Sequence, residues 1–376
     1  MSRPDRGRHS ASGALRAAPF RIEKAAAMQE YLCGLSAFRL HRIPPQVLAL
    51  CSNLPDIELR SDRRLLGRHP EILGSLGSPL HVLTDNRGRR NSAKAIEAHL
   101  WTGELPPGAF MENELGTTLA SPAFTLLTMA PQVSDVHLLM AASELCGEFA
   151  IYQPTPQIQR ELDQLPPGLD GAWRQVTDVH GEPTNLWRRP PLLDAAALNG
   201  FVTATSGMRG HKKLAWAARN LKSPAFSPFE VQTSILLGLS RSRGGAGLDA
   251  FESNFRIRLS PAARLIAGQD ECYADLFFEA TDAHGPIDIE CQGRMVHASS
   301  ASGELDANRT LALQSMGIEI LLLTFEQIFE QKRYDAVVAH LESLLNMRRR
   351  PRNARMREAE FELRRQLFID WRTLGT

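Results

Sequence analysis

Two short segments carry residues that could do hydrolytic chemistry together: CYADLFFEA (272–280) with Asp275, and IDIECQGR (287–294) with Glu290 and Gln292. Both alternate as strands do, and TDAHG between them supplies a hairpin loop. In a symmetric hairpin Asp275 lies opposite Glu290, Tyr273 opposite Gln292 and Phe277 opposite Asp288. The other face then pairs Ala274 with Cys291, Leu276 with Ile289 and Phe278 with Ile287, apolar throughout. A slip of one residue would scatter that face, so burial selects this register. Directly opposed side chains stand ~5 Å apart at Cβ. Two carboxylates at that spacing repel unless a cation lies between them. A hard divalent ion takes oxygen ligands, and Asp275, Glu290 and the backbone carbonyl of Cys291 could supply them. Mg2+ or Mn2+ held there would keep waters, one of which could attack a phosphodiester. The plain alternative is a half-buried hairpin with a solvated acidic face.

The elements that must hold this hairpin begin near residue 226. SPFEVQTSILLGLS is a helix with Ser227 as N-cap and Pro228 at its first position. RSRGGAGLDAFESN is a glycine-rich connection, and FRIRLS is a strand ahead of the hairpin. DANRTLALQSMG forms a helix ended by Gly317. IEILLLT is a continuous apolar strand, expected at the centre of the sheet, and FEQIFEQKRYDAVVAHLESLLNMRRR a last long helix. The order α-β-β-β-α-β-α describes a compact mixed α/β domain.

Residues 226–345 resemble the PD-(D/E)xK nuclease superfamily with its restriction-endonuclease-like fold. Within it they are most similar to the branch related to very-short-patch-repair endonucleases. The marks are SPFE (Ser227–Glu230), Asp275, ECQG (290–293), His297, DANR (306–309) and LQSMG (313–317), in that order. The resemblance implies a Mg2+- or Mn2+-dependent endonuclease acting on DNA. Asp275 and Glu290 would bind metal, Glu230 would complete the acidic shell, and Gln292 would position the water. Gln292 stands where the superfamily has Lys and this branch has Asp. Glutamine can orient a water but carries no charge to offset developing negative charge. Arg294 or His297 could take that part, and Arg309 could contact phosphate. Each mark has a plainer reading. Glu230 favours a helix dipole wherever it stands, His297 is a surface histidine, and Arg309 pairs with Asp306 one turn earlier. Cys291 is a packing residue.

The N-terminal half has a looser resemblance to abortive-infection antitoxin and transcriptional-regulator proteins. It is carried by LSAFRLHRI (35–43), PLHVLTDNRGRR (79–90), ELPPGAF (104–110), LASPAFTLLTMA (119–130) and ELCG (144–147). That resemblance implies DNA binding by a regulator-like unit. The chain divides into a disordered leader (1–27), an α+β unit (28–150), a linker and helical connection (151–222), the nuclease-like domain (223–345) and a basic C-terminal helix (346–376). Residues 122–149 are expected as helix, and 153–190, rich in proline and polar residues, as an irregular excursion.

The formal net charge of +1 rules out a polycation, so any nucleic-acid contact needs a local patch. NMRRRPRNARMREAEFELRRQLF (346–368), with eight arginines against three glutamates, and RGHKK (209–213) are candidates, each otherwise a solvated face. Five cysteines without a CxxC fit a reducing compartment and neither a disulfide framework nor a zinc knuckle. No apolar run approaches the ~20 residues that span a bilayer, so a cytoplasmic protein is expected. The competing functions are a metal-dependent endonuclease, a DNA-binding regulator built on a degenerate nuclease fold, and a protein-interaction scaffold.

Overall fold

The computed structural model of the chain describes residues 31–50, 75–89, 96–113, 118–165, 173–292, 300–348 and 351–375. The leader, Arg294, His297 and the Asp306 side chain lie outside the described residues. The described chain is a mixed α/β protein with three sheets. The first sheet holds β1 (Tyr31–Leu32), β2 (Leu80–Thr84), β3 (Ile96–Leu100), β4 (Phe110–Glu112) and β5 (Thr118–Ala120), in the order β3-β2-β1-β5-β4. Tyr31 and Leu32 pair with Leu83 and Val82, and the first helix starts at Gly34. The expected helix over 122–149 is two helices, Pro122–Met129 and Asp135–Leu145, capped by Ser121 and Ser134. Pro131 sits between them, where it cannot continue a helix.

The stretch 153–190 is not irregular. It contains a helix, Pro156–Leu162, capped by Thr155, and most of a second sheet. In that sheet β8 (Pro183–Arg188) lies between β6 (Phe149–Ile151) and β7 (Arg174–Thr177). Leu186 and Trp187 are buried there, and Trp187 donates to the Tyr152 carbonyl at 3.0 Å. Helices Ala195–Ala204 and His211–Asn220 follow, separated by residues 205–210.

The third sheet runs β12-β11-β10-β9, from β9 (Phe251–Arg258), β10 (Glu271–Phe278), β11 (Ile287–Gln292) and β12 (Glu319–Thr324). The β10–β11 ladder pairs Leu276 with Ile289, Phe277 with Asp288 and Phe278 with Ile287, the register expected from burial. Leu276, Phe278, Ile287 and Ile289 enter the main core, which also contains residues from Leu32 to Leu374. β12 is at the edge of the sheet rather than its centre, parallel to β11. Its apolar run is covered unevenly, and Leu322 stays 47 % exposed. A short helix, Pro261–Ala267, interrupts the expected strand series, with Ser260 as cap and Gly268 as left-handed stop. With helix Ser300–Ser315 it closes a smaller core containing Ala263, Cys272, Ala274, Phe277 and Leu313. The expected last long helix is broken at Glu330, after a capping box between Thr324 and Gln327.

Candidate active-site cleft

Glu230 occupies the first turn of helix Pro228–Gly238. The Ser227 hydroxyl accepts from the Glu230 N–H at 3.2 Å and donates to Glu230 Oε1 at 2.8 Å. The Phe226 N–H donates to Oε2 at 2.7 Å. Helix capping therefore fixes the carboxylate as well as the helix. Burial pushes the Glu230 pKa up, and the bonds from Phe226 and Ser227 only partly offset it.

Asp275 and Glu290 come from adjacent strands, and the β10–β11 ladder stops one pair short of them. Asp275 instead turns one oxygen onto the Cys291 N–H at 2.7 Å. On its other side β9 is distorted, because Asn254 takes a left-handed φ of +50°. Burial first, then Glu230 and Glu290, push Asp275 up to about 8, against the Cys291 N–H and Arg309. Glu290 is 15 % exposed and accepts from the Arg309 guanidinium, which also donates to the Tyr273 carbonyl. Burial works against the Arg309 charge, but Glu290 and then Asp288 outweigh it and hold its pKa above the ordinary value.

Two further groups belong to the cluster that the sequence reading did not single out. Asp288 shares the Glu290 face of β11, is 0 % exposed, and has no hydrogen-bond partner for either oxygen. Its polar neighbour is the Glu290 carboxylate. Two carboxylates bond only through a shared proton. Burial, then Glu290, push Asp288 up to about 9. The alternation Asp288-x-Glu290-x-Gln292 was visible in the sequence as one face. Arg188, at the end of β8, had no local signal. It donates to the Phe226 carbonyl; burial lowers its pKa, opposed by Glu230 and Asp275.

All these residues line one cleft of about 1090 Å³, together with Cys291, exposed Gln292 and an apolar wall that includes Phe229, Leu322, Phe325 and Trp371. The structure thus brings together Glu230, Asp275, Glu290, Cys291, Gln292 and Arg309 from the sequence expectations. The Cys291 N–H is already taken by Asp275, and burial pushes its thiol well above the ordinary range, so it is a poor nucleophile. Among the described residues the cleft sets five carboxylates (Glu148, Glu230, Asp275, Asp288, Glu290) against two guanidiniums. Burial, and then the crowding of carboxylates, keep Asp275 and Asp288 protonated to about 8 and about 9, and a divalent cation between Asp275 and Glu290 would relieve that crowding.

Three of the eight arginines of the basic C-terminal segment are engaged within the fold. In helix Ala354–Leu367 and the turn before it, Arg352 meets Glu360, Arg365 meets Glu362, and Arg364 donates to the carbonyls of Ile328 and Phe329. Lys213 of RGHKK donates to the Val133 carbonyl at 2.6 Å. Among the described residues no helix is long and apolar enough to cross a membrane.

The raised carboxyl pKa values predict how metal-free stability follows pH. In the unfolded chain an aspartate releases its proton near 4, whereas folded Asp275 and Asp288 keep theirs to about 8 and about 9. The native state therefore binds more protons across that window, and their contribution falls as pH rises through it. Asp288→Asn removes one titration, so in EDTA its melting temperature relative to wild type should climb from pH 5 to pH 9. A difference that stays flat across that range would show that Asp288 is not held protonated by the fold.

Comparison of the chain with family models, with curated proteins and with solved structures finds no match.

Proposed function

We propose that this chain is a divalent-metal-dependent endonuclease that hydrolyses phosphodiester bonds in DNA, with the PD-(D/E)xK arrangement. The observation that carries the proposal is the convergence of Glu230, Asp275, Glu290 and Gln292 on one cleft from one helix start and two paired strands. The order of helix, three strands, helix and parallel fourth strand supports the same reading.

Asp275 and Glu290 hold the cation, Mg2+ or Mn2+, and Glu230 stands behind them with its oxygens fixed by Ser227 and Phe226. The bound cation supplies charge neutralisation for a phosphoryl oxygen and a more acidic water. Gln292, exposed at the end of β11, lies on the Glu290 side of the strand and offers its amide to orient that water. Arg309 limits the repulsion among the carboxylates by engaging Glu290. Asp275 holds its proton to about 8 without metal, so cation binding there would release that proton and be favoured as pH rises.

The Arg309–Glu290 pair, together with Gln292 in place of a charged residue, favours a second reading. Here a self-neutralised cleft belongs to a DNA-binding regulator that no longer cleaves. Incubation of the purified chain with supercoiled plasmid and with single-stranded DNA separates the two. Nicking that needs Mg2+ or Mn2+ and stops with EDTA is the expected result. Salt-dependent DNA binding without cleavage in either metal would transfer the function to the second reading.

A further inference from the structure

We propose that His81, Glu97 and His99 form a divalent transition-metal site of the zinc type on the N-terminal sheet, separate from the carboxylate cleft. β2 and β3 are parallel, and His81 is the direct partner of Glu97. His99 stands two residues further along β3 and so shares that face. His81 Nδ1 lies 2.9 Å from His99 Nε2, with rings nearly parallel at 10°. The Glu97 carboxylate places one oxygen 4.0 Å from His81 Nδ1 and the other 3.9 Å from His99 Nε2. One ligand atom from each residue can be chosen so that all three lie within 4.8 Å of one another.

Bonds of about 2.0–2.1 Å around a tetrahedral zinc put ligand atoms roughly 3.3 Å apart. The two nitrogens now point at each other, so the rings must turn about their side-chain torsions to aim at one ion as the nitrogens open by a few tenths of an ångström, and the 51 % exposed Glu97 must close by a little more. Both are side-chain adjustments. Two imidazoles and one carboxylate suit zinc and its transition-metal neighbours, whereas Mg2+ prefers oxygen alone. Metal ligation requires neutral imidazole. Burial, then His99, lowers the His81 pKa to about 4 despite Glu97, and burial lowers that of His99 as well. A hydrogen bond between two neutral histidines accounts for the 2.9 Å contact alone; the metal site also accounts for a carboxylate set over both ring nitrogens.

Three protein ligands would leave a fourth position for water or an anion. β3 is the edge strand of the sheet, so a bound ion would also tie that edge to β2.

The test is a calorimetric Zn2+ titration of the full chain, without an affinity tag and after EDTA treatment, with Co2+ absorption as a second probe. One equivalent of Zn2+ should bind in the presence of excess Mg2+, raise the melting temperature, and still bind in the Glu290→Gln chain. His99→Ala on the edge strand and Glu97→Gln on the exposed rim should each weaken binding about 10-fold or more, with circular dichroism unchanged. His81→Ala is avoided because its side chain is buried in the sheet. The proposal is overturned if the wild type takes up no stoichiometric Zn2+. It is equally overturned if folded His99→Ala and Glu97→Gln bind as tightly as wild type.

Discussion

Glu290→Gln is expected to lower metal-dependent DNA cleavage by about 10²–10³-fold, the range of one lost electrostatic contact at a reacting centre, while the chain stays folded. The amide keeps the size of the side chain and one acceptor for Arg309, but it removes the charge that holds a cation. A loss of that size is about 3–4 kcal/mol of transition-state stabilisation. Asp275→Asn should do the same, because Asp275 is the other half of the pair and is fixed through the Cys291 N–H. The metal dependence separates a cation ligand from a merely structural carboxylate. In both variants residual cleavage should need more Mg2+ or Mn2+, whereas a stability defect would lower activity at every metal concentration alike. Without metal at neutral pH, Asp275→Asn should melt near wild type because Asp275 already holds its proton, and Glu290→Gln should melt somewhat lower because Arg309 loses its counter-charge. Cleavage at the wild-type rate by folded Glu290→Gln would remove the cleft from consideration as the active site.

The part of this site that was legible in the sequence is the part set by local rules. Period-two alternation and one apolar face fix the β10–β11 register, and with it the neighbourhood of Asp275 and Glu290. Ser227 and Pro228 announce the helix that carries Glu230. What failed depends on distant elements. The Asp288 alternation is local, but its complete burial comes from elements elsewhere in the chain. Arg188 reaches the cleft from a strand inside a stretch whose prolines suggested an excursion, although Pro156 is a helix start. IEILLLT reads as a central strand because all of its middle residues are apolar. It is an edge strand, and nothing within it reports which neighbours are missing. The helix Pro261–Ala267 has seven residues, too few for a 3.6-residue period to declare itself. The His81–Glu97–His99 group is split between two strands joined through residues 85–95, so only the parallel pairing reveals it.

Glu144→Ala is expected to destabilise the whole chain by about 3–5 kcal/mol, the usual result of breaking one side of a buried ion pair. Glu144 begins the ELCG segment at the end of helix Asp135–Leu145 and is 0 % exposed. Its oxygens accept from Arg42 Nε at 2.9 Å, from the Ile151 N–H at 3.1 Å and from the Trp371 indole N–H at 2.6 Å. Its own carbonyl accepts from Arg189 at 2.6 Å. One carboxylate thus joins the turn after the first helix, the second sheet and the C-terminal turn. Truncation leaves the Arg42 guanidinium buried beside Phe38 without its counter-charge. At roughly 2–4 °C per kcal/mol for a chain of 150–250 residues, and less for a longer one, the loss should be plain in a thermal melt. Replacing both partners, Arg42→Met with Glu144→Leu, should recover most of the stability, because no charge is then left unpaired. The consequence reaches the cleft, since Trp371 forms part of its wall and Arg188 immediately precedes Arg189. Glu144→Ala should therefore lower cleavage below its melting temperature without changing the metal concentration needed. That behaviour is the opposite of Glu290→Gln. A Glu144→Ala chain that melts within 1 °C of wild type would mean that the network is held by packing around it and not by this carboxylate.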